Sequence, residues 1–445
     1  MGKLFTRSNR PAITALSVIA VILGVTAFLI VSVNKSVPSS DAGPPPTQKL
    51  PAPSAQPTVN TQDFASEPPA ATGCPHPHSL SQTSGAWMAG YNDDKQNTTE
   101  VPSEASQFGL LDFDWLTFTT PGTLVQSDQF SQPISTVLSE DAQASPCTLR
   151  FVTINDQNTP KSVMAEILTQ PSVMTQHVAA IAQEMASLPQ ATGLTLDYEF
   201  SLPETTADLA TYAQLAKWKN LSYEQEINQV TLDYTRLVQM VAAAMHHQHR
   251  LLRVAAIVRN NDIVDSEPGN AAPYLFDYGN LAKYADQLVL MAIDFHYQGG
   301  PPGPISPLAD VTQVANYVRS YGIPPSKLAV EEPNYAYDWQ VTASGANATN
   351  ASGQVVQATQ LTATQVAAGL KTGNWRRLGT QDGETQYSYT ATTGGKSVRH
   401  IVWDSSTAMS YEKAQLAKVL PGVAINIWQI GNNDPVGTAL AAQVK

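Results

Sequence analysis

Ala191-Thr192-Gly193-Leu194-Thr195-Leu196-Asp197-Tyr198-Glu199-Phe200 reads as one buried strand closing on two carboxylates, Asp197 and Glu199, a single residue apart. Side chains alternate across a strand, so Thr195, Asp197 and Glu199 share one face while Leu194, Leu196 and Tyr198 share the other. Two acids on one face of an apolar strand are costly to bury without a purpose. Their mutual repulsion also pushes one pKa upward, as a general acid requires. In a parallel barrel the C-terminal ends of the strands carry the active site, so this stretch bears on both fold and chemistry.

Outward from it, short apolar runs alternate with helical patterns from Gly85 onward, the sign of a parallel α/β sheet. Strands are predicted at Gly85–Tyr91, Trp115–Thr119, Leu149–Ile154, Gly193–Phe200, Leu252–Val258, Gln287–Phe295, Lys327–Tyr335 and Ala424–Ile430. Helices are predicted between them at Ser172–Ser187 (just after Pro171, which suits a helix start), Tyr223–His247, Val311–Tyr321 and Ser410–Val419. Eight strands with intervening helices match a (β/α)8 TIM barrel. An open doubly wound sheet is the alternative, but no Gly-rich phosphate turn follows the first strand. The connection between Trp339 and Val402 is too long for a simple loop. With a helix near Thr364–Leu370 and polar strands near Gln386–Thr392 and Val398–Val402, it reads as a small α+β insertion, 340–401, between strands 7 and 8 on the catalytic rim.

The N-terminal part has a different composition. Lys3, Arg7 and Arg10 precede an apolar, uncharged run over 13–33, long enough to span a bilayer. Positive charge ahead of the run places 1–12 in the cytoplasm and everything after it outside. A cleaved signal peptide is the competing reading. Residues 34–84, rich in Pro, Ser and Thr, read as an extended tether, and 85–445 as the folded barrel. The expected location is therefore the cell membrane, with the barrel on its outer side. Cys74 and Cys147 allow one staple there, or two free thiols. His76 and His78 lie in the tether without zinc-like spacing and read as solvated.

A chain of 445 residues accommodates one large domain plus accessories, and a formal net charge of -12 argues against nucleic acid as a partner. Met245-His246-His247-Gln248-His249 closes a long helix, where such residues complement the helix dipole; the neighbouring His246 and His247 face different directions, which suits a metal poorly. No metal or other cofactor is implied. Asn97, Asn220, Asn347 and Asn350 stand in Asn-x-Ser/Thr triplets, informative only in a host that glycosylates secreted proteins.

Four motifs in order carry a resemblance: Gly193-Leu-Thr-Leu-Asp-Tyr-Glu199, Met291-Ala-Ile-Asp-Phe-His-Tyr-Gln-Gly-Gly-Pro-Pro-Gly-Pro304, Pro333-Asn-Tyr-Ala-Tyr-Asp-Trp339, and His400-Ile-Val-Trp-Asp404 followed by Ile427-Trp428. From Gly85 to Pro435 the chain resembles glycoside hydrolase family 18, the chitinase and N-acetylglucosaminidase barrels. It is most similar there to the spore-germination, cortex-lytic type of bacterial peptidoglycan hydrolase. The resemblance implies hydrolysis of β-1,4 linkages to N-acetylglucosamine in peptidoglycan or chitin-like polymers, with retention assisted by the substrate. Glu199 would protonate the glycosidic oxygen, and the substrate's 2-acetamido carbonyl would attack the anomeric carbon. Asp197 would orient the acetamide and stabilise the resulting cation. Trp428 would floor the sugar, with Asp294, Met291, Tyr337 and Trp339 around the same mouth. His296 follows on the rim, touching sugar or packing the loop. Thr195 would hydrogen-bond Asp197.

The sequence departs from the family pattern where it has Thr192 and Thr195 in place of acids (or Asn) and Ile293 in place of Tyr, and Glu331 and Glu332 replace small or apolar residues. Losing donors to developing charge slows such an enzyme, about 10²–10³-fold for each donor. A lectin-like barrel that binds without turnover, and a structural wall protein, are the rival functions. The expected state is a monomer.

Overall fold

The computed structural model describes residues 74, 79–80, 85–89, 108–127, 130, 132–260, 272–393, 395–406 and 409–430. The expected cytoplasmic segment 1–12, the anchor 13–33 and most of the tether 34–84 lie outside the described residues, as do His76, His78 and Asn97. Among the described residues no helix is long and apolar enough to cross a membrane.

In chain order the first strands are β1 (Gly85–Met88), β2 (Leu110–Thr120), β3 (Thr123–Gln126), β4 (Leu149–Asn155), β5 (Gly193–Asp197), β6 (Leu251–Ile257), β7 (Gln287–Met291) and β8 (Leu328–Pro333). β3 is a short antiparallel partner of the end of β2; the others pair in parallel. Helices α1 (Ile134–Ala144), α2 (Lys161–Thr169), α3 (Pro171–Ala186), α4 (Thr206–Ala216), α5 (Tyr223–His247), α6 (Tyr278–Tyr284) and α7 (Leu308–Arg319) form the connections. Capping boxes start two of them, Thr205 with Asp208 on α4 and Ser222 with Gln225 on α5, satisfying amide groups that would otherwise lack partners.

After β8 the chain leaves the barrel. β9 (Ala336–Val341), β10 (Thr359–Leu361), α8 (Ala363–Lys371), β11 (Arg376–Gln381), β12 (Glu384–Thr393) and β13 (Lys396–Asp404) make a separate antiparallel sheet in the order β10-β9-β13-β12-β11, with one helix. Then α9 (Met409–Val419) leads into β14 (Ala424–Ile430), which lies between β8 and β1. Pairing of β1 with β2 closes the ring at eight parallel strands, a TIM barrel.

β1 and β7 end earlier than the sequence reading expects, at Met88 and Met291, and three further boundaries differ, each for a physical reason. β2 begins at Leu110, five residues before the expected Trp115, because Asp112 and Asp114 interrupt its apolar pattern. β5 ends at Asp197, so Glu199 stands on the turn beyond the strand rather than on it. The seventh barrel strand ends at Pro333, and Tyr337 and Trp339 belong to β9, making the insertion broader than 340–401.

The barrel interior is polar at mid-height. Asp112 accepts hydrogen bonds from Thr195 Oγ1 (2.5 Å), from Asn426 Nδ2 (3.2 Å) and from the Arg253 guanidinium. Arg253 Nε donates to Gln287 Oε1 (2.9 Å), and Gln287 Nε2 to the Leu80 carbonyl (3.1 Å). One buried cation thus balances one buried carboxylate, with neutral amides and a hydroxyl completing the set. Two glycines make room for this packing. A Cβ on Gly85 would collide with the Asn426 amide, and one on Gly193 with the Phe151 ring and the Leu251 carbonyl.

Outside the ring, Leu194, Leu196 and Tyr198 pack under the helices, each aliphatic side chain contributing roughly 1.5–3 kcal/mol by burial. Tyr198 Oη donates to Nε2 of His177 on α3 (2.8 Å), whose Nδ1 donates to the Pro121 carbonyl (2.9 Å). Burial lowers the His177 pKa to about 4, so the ring stays neutral and pins β5 to its helix. The sulfurs of Cys74 and Cys147 are bonded, closing a loop with a sequence separation of 73. In the chain-entropy account such a loop stabilises the fold by about 4 kcal/mol.

Candidate active site

β5 delivers Thr195 and Asp197 into the barrel, Thr195 to the polar mid-layer and Asp197 above it at the C-terminal end. Thr195 gives its proton to Asp112 rather than to Asp197. Asp197 is only 5% exposed, and its Oδ1 is buried with no hydrogen-bond partner among the described residues. Thr192 stands at the other end of the strand, its Oγ1 accepting from the Arg150 amide (3.0 Å), so its identity affects strand pairing rather than the mouth.

Glu199 is set by a residue that sequence reasoning missed. Asp156, wholly buried just after β4, accepts the backbone N–H groups of Glu199 (2.9 Å), Phe200 (2.9 Å) and Ser201 (2.8 Å), and the Ser201 hydroxyl. Three successive amides converging on one carboxylate fix the turn and hence the direction of Glu199. A lone Asp in a loop gives no pattern to read, and its partners are backbone atoms more than forty residues away.

The pit is strongly acidic. Burial first, then the charges of Asp114, Asp156 and Asp112, push the Asp197 pKa well above the ordinary carboxylate range. Burial, then Asp197, Asp156, Glu331 and Asp114, do the same to Glu199, which keeps part of its side chain open at the mouth. Asp114 accepts from Asn155 Nδ2 (2.7 Å). Glu331 points inward from β8, and its pKa is raised by burial and by Asp197 and Asp112, with Arg253 opposing. In such a group the first carboxyl to ionise holds the proton on the next. That is how one acid and one anion coexist.

The far wall comes from β7, β14 and the insertion. Met291 ends β7, half-buried. Asp294, in the left-handed region at φ 57°, accepts the Tyr335 hydroxyl (2.5 Å) and the Tyr337 hydroxyl (3.2 Å). Burial raises its pKa to about 6 against the opposing effect of those two bonds. Tyr335, which sequence reasoning also missed, supplies a phenol beside Asp294 on a chain where Ile293 has none. Tyr337 and Trp339 are buried inside the insertion rather than exposed on the rim; Trp339 Nε1 donates to the Gly300 carbonyl (3.1 Å) and braces the loop there. His296 likewise braces that loop, donating to the Pro301 carbonyl (2.9 Å) and lying where Gly303 leaves room for its ring. Trp428, half-buried, stands edge-on to Trp87 (centroids 5.4 Å, 61°) and bridges the apolar clusters of barrel and insertion.

No group of three or more His, Cys, Asp or Glu arranged for a metal occurs among the described residues. His246, at the end of α5, bonds Asp286 through Nε2 (2.9 Å). The arrangement can present one protonated carboxyl, one neighbouring carboxylate with an open acceptor, and a flat indole.

Comparison with known proteins follows the same lines. Residues 163–433 match the profile of glycosyl hydrolases family 18. The chain is 30% identical over 161 residues to the cortical fragment-lytic enzyme of Bacillus subtilis (strain 168), covering 36% of this chain and 34% of the other. It is 22% identical over 219 residues to the uncharacterized glycosylase YvbX of the same organism, covering 48% and 57%. The chain therefore spans between 18% and 57% of the length of the curated relatives it matches. Among solved structures, a chitinase from Chromobacterium violaceum ATCC 12472 superimposes with TM-score 0.61 at 17% identity, over 81% of this chain and 98% of that one. The Bacillus cereus spore cortex-lytic enzyme SleL gives TM-score 0.58 at 18% identity, over 80% and 73%. At those identities the likeness is one of fold.

Proposed function

The chain belongs to glycosyl hydrolases family 18, and from that premise we propose that it hydrolyses β-1,4 linkages to N-acetylglucosamine in peptidoglycan or a chitin-like polymer. The observation that carries the reading is the pairing at the end of β5. Glu199 is aimed by the Asp156 clamp, and beside it Asp197 keeps a buried, open acceptor. Glu199, its pKa raised, delivers a proton to the leaving glycosidic oxygen. The acetamide N–H of the bound sugar donates to Asp197, turning its carbonyl oxygen toward the anomeric carbon. Attack expels the leaving sugar and closes an oxazolinium ring, whose charge Asp197 stabilises. Glu199, now ionised, takes a proton from the water that opens the ring, and the starting configuration returns. Trp428 supplies the apolar platform beneath the sugar.

The location belongs to the same proposal: an anchor over 13–33, with the barrel outside the cytoplasm as a monomer. The basic residues ahead of 13–33 support it, as does the Cys74–Cys147 bond, a linkage that lasts in oxidising surroundings. A carbohydrate-binding barrel without turnover is the second reading, favoured by Thr195 giving its proton to Asp112 instead of Asp197. Digestion of purified peptidoglycan and of N-acetylglucosamine oligomers, with products identified by mass, separates the two. Cleavage next to N-acetylglucosamine is expected, and retention of the glycans with no new product would leave only binding.

A further inference from the structure

The insertion sheet has a face that begins in the candidate site and ends in a basic hollow. Paired residues in a sheet share a face. One row runs Trp339, Ile401, Ser388, Arg376 across β9, β13, β12 and β11, and the next runs Val341, Arg399, Thr390. The row on the other side of Trp339 holds Tyr337, whose hydroxyl reaches Asp294. The buried aromatic end of this face packs on Trp428. Its outer end opens into a hollow of about 460 Å³ lined by Asn374, Arg376, Ser388, Tyr389, Thr390 and Arg399. From β9 to β11 is three interstrand steps, about 14 Å, a span that neighbouring sugars of a polymer cover.

The charge there is opposite to the rest of the chain. Lys371, Arg376, Arg377, Lys396 and Arg399 of the insertion are exposed, whereas Asp338, Glu384 and Asp404 are buried, leaving Asp382 as its one unburied acid. The whole chain carries 37 acidic and 25 basic residues, so this concentration runs against its composition. Arg399 Nη1 donates to the Ala343 carbonyl (3.3 Å), and neither Arg376 nor Arg399 pairs with a carboxylate among the described residues. Two guanidinium groups over a polar, open floor fit a carboxylate bidentately.

We infer that this hollow is a distal subsite for a carboxylate carried by the glycan, and that it makes a carboxylated wall glycan the preferred substrate over neutral chitin. The inference rests on the proposed glycosidase reading and narrows its substrate class. Two carboxylates of peptidoglycan fit: the lactyl group of a peptide-free muramyl sugar, and the end of a stem peptide.

The test uses the full chain with Arg376→Ala/Arg399→Ala and with Arg376→Lys/Arg399→Lys. The substrates are a neutral N-acetylglucosamine oligomer, a glycan with free lactyl carboxylates and one with stem peptides. KM for at least one carboxylated glycan should rise about 10-fold in the alanine pair with kcat unchanged, while KM for the neutral oligomer stays put. Lysine should restore part of the loss, rising salt should erode the wild-type preference, and the glycan that responds identifies the carboxylate. An equal rise on all three substrates, or none on either carboxylated glycan, overturns the inference. If the wild type cleaves none of them, dissociation constants for the same glycans decide the subsite separately from the enzyme reading. A preference for carboxylate that the alanine pair abolishes upholds it, and no preference ends it.

Discussion

The barrel pit and the insertion face border the same mouth but are built in opposite ways. The pit gathers Asp112, Asp114, Asp156, Asp197, Glu199 and Glu331 around a single buried cation, Arg253, so most of its acids face one another rather than a counter-charge. The insertion buries Asp338, Glu384 and Asp404, and the face it turns to the barrel packs buried aromatic rings near the site and carries exposed arginines farther out. The difference separates two tasks. Repelling carboxylates out of water keep a proton available at neutral pH, which is chemistry. Arginines in water hold an anion without costly desolvation, which is recognition.

The comparison breaks most readily at Asp197. Asp197→Asn should lower kcat on the natural glycan about 10²–10³-fold, because it removes the carboxylate that answers the developing charge. It should also move the alkaline limb of the pH–rate profile to lower pH. After burial, the Asp197 charge does most to raise the Glu199 pKa, so neutralising it lets Glu199 lose its proton earlier. A profile that keeps its alkaline limb would mean the pit's acids do not set the proton donor.

Asp156 sharpens the picture by separating position from charge. Asp156→Asn retains one acceptor oxygen in place of two for the three amides of the turn. A drop of about 10²-fold in kcat, with glycan affinity largely kept, is the expectation for an acid displaced by about 1 Å. Unaltered kcat would leave Asp156 a merely structural residue.

The smallest effect belongs to the insertion's buried side. Glu384 accepts the amides of Ile305 (2.7 Å) and Ser306 (2.6 Å), and burial raises its pKa to about 8 from an ordinary 4.5. Between those values the folded chain holds a proton that the unfolded chain has released. Stability therefore falls as pH rises through that window and is flat, for this group, below it. Glu384→Gln should make the fall of Tm between pH 5 and pH 8 shallower than in the wild type, as read by calorimetry. Identical slopes would contradict it.

How much was legible follows from where the physical signal lay. The alternation Leu194, Leu196, Tyr198 against Thr195, Asp197 is local, so β5 and its acids were visible in ten residues. The start of β2 was not, because an interior lined with Asp112 and Asp114 looks on paper like a loop. Asp156 and Tyr335 act through backbone amides and a partner on another strand, and no spacing in the chain announces either. Tyr337 and Trp339 misled because the chain passes from one sheet into another at Asn334 and Tyr335 without losing its apolar character. The pairing register then buried both rings and sent the same face outward to Arg376 and Arg399.

The most direct test of the central claim, that Glu199 supplies the proton, compares wild type and Glu199→Gln on two substrates. One is the natural glycan, whose leaving sugar needs protonation; the other is an aryl N-acetylglucosaminide, whose phenolate leaving group does not. The account predicts a loss of about 10³-fold or more in kcat/KM on the glycan and a much smaller one on the aryl glycoside. Equal losses on both substrates, or none on the glycan, would contradict it.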